Sequence, residues 1–285
     1  MEYARPDALV STEWLASRLD APDVRIVDAS FYLPHQKRNP RAEFNEQHIP
    51  GAVFFDIDEI SDTSSPLPHM LPPPEKFASR MRQLGLGDGL KIVIYDTTPM
   101  LGATRVWWMF HAMGHKDVAV LDGGLPKWLR EGRPVTDDAT LPRDRHFTAR
   151  ANNALVRSID DVRGLLDSKR EQVVDARAAA RFRGEAPEPR EGMRLGHMPG
   201  AFNLPYNELI DPANGTMLPP DKLRARIAAS GIDPARKVTA SCGSGVSACV
   251  VALGLYLTGA PESAVYDGSW TEWGGRADTP IVTGV

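Results

Sequence analysis

Cysteine is nearly missing from this chain: Cys242 and Cys249 are the only two in 285 residues. Two cysteines cannot build a disulfide framework, which fits a reducing compartment. There is no C-x-x-C pair and no His/Cys cluster, so a zinc site has no ligand set to stand on, and no cofactor is expected. Excess charge is lacking too. Lys and Arg number 33 against 37 Asp and Glu, a net charge of −4, which argues against general nucleic-acid binding. The longest uncharged apolar stretch, within Ala248–Leu257, is too short to span a bilayer. The start, MEYARPDALVSTEW, has no apolar signal core, so the expected location is the cytoplasm, with no membrane partner. What remains is ordinary: 42% hydrophobic and 25% charged residues, at a length that suits two domains or one large one.

Against that background Lys237–Gly259, KVTASCGSGVSACVVALGLYLTG, stands out. Val238–Ser241 reads as a short buried strand, and Ala248–Leu257 as a helix with Gly259 placed to stop it. Cys242–Ser247, with two glycines and two serines, makes the turn between them. In open α/β sheets ligands bind beyond the C-terminal ends of the strands. Turn amides and a helix N-terminus there favour an anion, and the thiolate is the nucleophilic form of cysteine. Cys249 follows two helical turns later and is expected in the core.

The chain also repeats itself. VRIVD ends at Asp28 and EQVVD at Asp175; HIPGA begins at His48 and HMPGA at His197. MLPPPEKF and MLPPDKL align through Leu71 and Leu218, KIVIYD and KVTASC through Asp96 and Cys242, and AVLDGG and AVYDGS through Asp122 and Asp267. Two amphipathic openings, with N-caps at Ser11 or Thr12 and at Ser158, complete the series. These anchors keep one order at a nearly constant offset of 145–149 residues, as a duplicated domain requires. Each half alternates strand and helix, which predicts a mainly parallel sheet flanked by helices. The polar stretch Arg133–Asn153 separates them, giving domains over 1–135 and 154–285 with a linker over 136–153.

Duplication supplies an internal control. Asp96 stands where Cys242 stands, and TTPMLGATR replaces the glycine-rich turn, so only the second half can run thiol chemistry. His48 and His197 occur in both halves and read as structural. The Asp-Gly pairs read as turns, and Trp107, Trp108, Trp128 and Trp273 as core or domain-interface fillers.

These residues resemble the two-domain rhodanese-like sulfurtransferases along nearly the whole chain. CGSGVSA is most similar to the loop of the 3-mercaptopyruvate sulfurtransferases, whereas thiosulfate-preferring members carry basic residues after the cysteine. The resemblance implies α/β tandem domains and a Cys242 persulfide, formed from mercaptopyruvate with release of pyruvate and passed to a thiol or cyanide. It implies that Ser244, Asp58 and His69 act with Cys242, Asp56 being the rival of Asp58. It implies that Arg181 and Arg190 hold the donor's carboxylate and keto oxygen, with Arg183 and Arg194 as alternatives, and that Gly243, Gly245, Val246 and Ser247 surround the sulfur. Thioredoxin is an implied protein acceptor. The family's tyrosine beyond the IYD-type strand has no match in TTPMLGATR. Rival readings are a thiosulfate:cyanide sulfurtransferase and a persulfide carrier without turnover. A cysteine phosphatase needs an arginine six residues after the cysteine, where this chain has Ala248.

Overall fold

The computed structural model describes residues 2–33, 36–98 and 100–284. The first half runs β1 (Leu9–Val10), α1 (Thr12–Ala16), β2 (Val24–Asp28), α2 (Pro40–Glu46), β3 (Ala52–Phe54), α3 (Ile57–Ile60), α4 (Pro74–Gln83), β4 (Lys91–Tyr95), α5 (Leu101–Ala112), β5 (Val118–Leu121) and α6 (Gly124–Arg130). The second runs β6 (Val156–Arg157), α7 (Ile159–Ser168), β7 (Gln172–Asp175), α8 (Ala179–Phe182), β8 (Phe202–Asn203), α9 (Pro220–Ala229), β9 (Val238–Ser241), α10 (Ala248–Leu257), β10 (Ala264–Tyr266) and α11 (Ser269–Trp273). Each half forms a five-stranded sheet of parallel pairs, ordered β1-β5-β4-β2-β3 and β6-β10-β9-β7-β8. The central strands are almost wholly buried, as expected where helices cover both faces. Leu9–Val10 and Val156–Arg157, which the sequence presents as lead-ins to helices, instead add an edge strand to each sheet.

Local signals act as their chemistry requires. The Ser11 side chain accepts from Trp14 N–H, and Ser158 with Asp161 forms a full capping box. His48 and His197 do the same work in both halves. Each ring donates from Nδ1–H to a backbone carbonyl, Phe44 O or Phe182 O, at 2.7 Å. Each stacks on that same phenylalanine, and each backbone pairs with the segment closing its own domain, through Thr136 or Val282. Trp128 and Trp273 likewise donate to Pro134 O and Pro280 O.

The two halves share one apolar core. α5 is buried at every residue but Leu101, and α10 at every residue but Tyr256. α10 is apolar all round and must be covered all round; α5, apolar but for Thr104, Arg105 and His111, packs on it along the domain seam, with Trp107 against Tyr256. The N-terminal segment straps the second half: Ala4 N–H donates to Leu257 O, and Arg5 to Tyr256 O and Ala260 O. Among the described residues no helix is long and apolar enough to cross a membrane.

Candidate active site

Cys242 leaves β9 at its C-terminal end and opens the turn into α10. The Ser269–Thr271 segment holds that turn from behind. Cys242 N–H donates to Ser269 Oγ at 3.1 Å, and Trp270 N–H to Cys242 O at 2.9 Å. Thr271 donates to Gly243 O through both N–H and Oγ1, at 2.8 and 2.7 Å. The N–H groups of Gly243–Ser247 donate to no protein acceptor among the described residues. Unspent amides at the N-terminus of a ten-residue helix are a cradle for an anion on Cys242. Glycine is required at 245: its φ is +78°, and a Cβ there would sit 2.8 Å from Asp267 O and 3.1 Å from Arg105 Nη1.

A cavity of about 190 Å³ opens onto the buried Cys242. Its walls are Gly243, Ser244, Val246 and Ser247 of the turn, Arg181, Pro189, Arg190 and Tyr206 of the second domain, and an apolar face of Phe31, Leu33 and Leu101 from the first. The site therefore lies between the domains. The two arginines differ. Arg181 gives Nε and Nη2 to the buried Glu188, at 3.2 and 2.5 Å, so its guanidinium is fixed in direction and partly neutralised. Arg190 makes no ion pair with a carboxylate among the described residues, and burial pulls its guanidinium below the usual range. A Cβ at Gly243 would stand 3.3 Å from Arg181 Nη2, so a side chain there would crowd that guanidinium.

Asp58 and His69 meet: Oδ1 and Nδ1 are 2.5 Å apart, joining a carboxylate 65% exposed to an imidazole 8% exposed. The hydrogen bond from His69 holds the Asp58 carboxyl below its ordinary range. Neither residue lines the cavity. His69 stands behind Phe31, edge to face at 4.9 Å, with its Nε2 3.4 Å from Arg190 Nη2. Ser244 lines the cavity, but no hydrogen bond joins it to His69 or Asp58 among the described residues. The backbone of Gly245 also lies off the cavity wall. The rivals are occupied elsewhere. Asp56 caps α3, accepting from Asp58 N–H and Glu59 N–H; Arg183 pairs with Glu185 on the surface; Arg194 holds Trp273 O and Thr279 O.

Two further parts of the site escaped the sequence. Tyr206 lines the cavity, and an available signal pointed to it: alignment on the His-x-Pro-Gly-Ala anchors sets Ile57 of the inert half opposite it. Glu188, which anchors Arg181, also takes Arg177 at 2.7 Å. The inert half shows what the cysteine replaces. There the Asp96 carboxylate accepts from the N–H groups of its own turn, Ala103 at 2.9 Å with Gly102 and Met100. That cradle is closed by its own side chain, and burial pushes the Asp96 carboxyl up to about 8. Pro99 in that stretch lies outside the described residues. Among the described residues no cluster of three His, Cys, Asp or Glu side chains could hold a metal ion.

Fold and site define a class: a duplicated α/β protein with one of its two cysteines in a turn of unspent amides at the seam between its halves. The family model of the Rhodanese-like domain matches residues 11–131 and 158–276, and the chain belongs to that family, in two tandem copies. It is 46% identical over 276 residues to human 3-mercaptopyruvate sulfurtransferase, covering 95% of this chain and 93% of that one. It is 43% identical over 277 residues to bovine thiosulfate sulfurtransferase, covering 95% and 93%. The crystal structure of SseA from Escherichia coli, a 3-mercaptopyruvate sulfotransferase, superposes with a TM-score of 0.84 at 40% identity, covering 92% of this chain and 98% of that one.

Proposed function

We propose that this chain is a sulfurtransferase that takes sulfur from 3-mercaptopyruvate and passes it to a thiol or cyanide. Identity alone does not choose the donor, since relatives of both activities stand at similar distances. The observation that carries the choice is the turn itself: Gly243 and Ser244 put no basic side chain beside Cys242, while two arginines stand across the cavity. Thiosulfate leaves as sulfite, whose charge stays beside the cysteine and calls for cations in the turn. Mercaptopyruvate has one carboxylate and one keto oxygen, a match for the two guanidinium groups of Arg181 and Arg190 on the cavity wall.

In the reaction the Cys242 thiolate attacks the donor sulfur. The S–S bond forms as the C–S bond breaks, and the electron pair passes into the enolate of pyruvate. The proton lost from the donor thiol ends on the methyl carbon, leaving pyruvate and a Cys242 persulfide anion over the free amides of Gly243–Ser247. An acceptor thiolate then attacks the outer sulfur and restores the Cys242 thiolate. Arg181 and Arg190 orient the donor, and Ser244, facing the cavity, is the group placed to carry the proton. Asp58 and His69 reach the site through Arg190. Gly243, Gly245, Val246 and Ser247 shape the cradle.

The test is turnover of mercaptopyruvate and thiosulfate side by side, with intact-protein mass measured after donor alone. A strong preference for mercaptopyruvate is expected, with one sulfur atom added to wild type and to Cys249→Ser and none to Cys242→Ser. Equal kcat/KM for the two donors would overturn the choice of donor. An adduct retained by Cys242→Ser would overturn the site.

A further inference from the structure

Arg105 lies in α5 of the inert half, 137 residues before Cys242, and is buried completely. Its guanidinium crosses the seam. Nη1 donates to Gly245 O of the cysteine turn at 3.2 Å and to the Asp267 carboxylate at 2.6 Å. Nη2 donates to the backbone carbonyl of His69. The other oxygen of Asp267 accepts from Leu71 N–H at 2.6 Å, two residues beyond His69. His69 itself has φ +60°, a left-handed conformation that costs a non-glycine residue energy and persists only where its surroundings impose it. One buried ion pair thus grips the cysteine turn with one hand and the His69–Leu71 segment with the other.

We infer that Arg105 is a positioning residue for the sulfur-transfer step, setting the Cys242 turn and His69 in register across the domain seam. The inference rests on the sulfurtransferase reading. The duplication separates this role from that of a mere interdomain staple. Asp122 is the counterpart of Asp267 and also reaches across the seam, accepting from Met217 N–H at 2.8 Å. Among the described residues no arginine meets it: α10, the counterpart of α5, reads ACVVALGLYL and carries no charge. Among the described residues the seam closes at the symmetry-related place with a carboxylate on an amide and no buried cation, the charge near Asp122 being that of the partly exposed Lys127. A buried cation is added only on the side that holds Cys242, although a buried charge is costly to keep. A planar fork with several donors can hold three acceptors on two domains at once; a lysine, with one nitrogen, cannot hold the same geometry.

The test uses the full chain with Arg105→Lys, which keeps the charge and loses the fork, and with Arg105→Met/Asp267→Asn, which removes the pair without stranding a buried carboxylate. Three readouts apply: kcat and KM for mercaptopyruvate, the imidazole nitrogen resonances of His69, and the alkylation rate of Cys242 by iodoacetamide. Small misplacements remote from the chemistry cost up to about a hundredfold. The expected result is a kcat loss of that order with a smaller change in KM for the donor, since Arg181 keeps its Glu188 partner while Arg190 feels the shift of His69. His69 resonances and the alkylation rate should both move, while His48 and His197 serve as unchanged internal controls. Asp122→Asn should leave kcat as in the wild type. A wild-type kcat in Arg105→Lys overturns the inference, and so does a kcat loss with unchanged His69 resonances. The resonances and the alkylation rate need no turnover, so they still decide the positioning role if the choice of donor proves wrong.

Discussion

Two arginines on one cavity wall invite a shared description, yet their partners make them different tools. Arg181 is turned toward Glu188 by two hydrogen bonds, so much of its charge is already answered. Arg190 lines the cavity with no carboxylate ion pair among the described residues, its Nη2 3.4 Å from His69 Nε2. A charge-assisted hydrogen bond contributes about 1.5–3 kcal/mol. Arg190→Met should therefore lower kcat/KM for mercaptopyruvate by about ten- to a hundredfold, and Arg181→Met by less. Both losses should be smaller for thiosulfate, which has no keto acid to orient. Steady-state kinetics with the two donors checks the ranking. Of these residues the arginine spacing was readable beforehand, whereas Glu188 was not: a carboxylate among charged neighbours looks solvated until folding buries it beside Arg177.

At the scale of elements, the two strand–turn–helix units show how one fold supports one reactive site and one inert copy. The second turn leaves its amides unspent; the first spends them on Asp96. Burial raises the Asp96 carboxyl to about 8 in the folded chain, above the ordinary value of about 3.9 in the unfolded one. The native state therefore holds a proton that the unfolded state releases between those values. Stability linked to it is complete below about pH 4 and is lost as pH rises through about 8, by about 1.4 kcal/mol per pH unit in between. Asp96→Asn should flatten that slope, seen in urea unfolding from pH 5 to 8. Equal slopes in the two proteins would show that the carboxyl is ionised in the native state. The Asp-for-Cys exchange was plain from the repeat; that the carboxylate would fold back onto its own turn was not.

For the whole molecule, the seam between the halves is where pH should tell. Asp122 meets Met217 N–H there, and burial raises its carboxyl to about 6. By the same linkage its protonated form supports folding below about pH 4, and that support fades as pH climbs through about 6. Asp122→Asn keeps an acceptor for Met217 N–H. It should make stability less pH-dependent between pH 4 and 6, read as Tm across that range, with the wild-type slope in the variant as the contrary result. The Asp-Gly pairs read as turns, and turns they are; both carboxylates then reach over the seam, Asp122 to Met217 and Asp267 to Leu71 and Arg105.

The sequence by itself determined what depends on neighbours along the chain. It specified the strand–turn–helix around Cys242, the Ser11 and Ser158 caps, the repeat, and the paired roles of His48 and His197, because propensity, capping and periodicity are local and the repeat states them twice. Tertiary structure alone decided how the halves dock. Docking follows from two helices, each buried almost all round between its own sheet and the other helix. That packing brings Arg105 to Gly245 and Asp267, Phe31 to the cavity wall, and His69 to Arg190. It also left Asp58 and His69 off that wall, with His69 behind Phe31 and against the Arg190 guanidinium. Contacts between residues more than a hundred positions apart carry no signature in local pattern, since each partner is chosen by where the packed helices set the backbone.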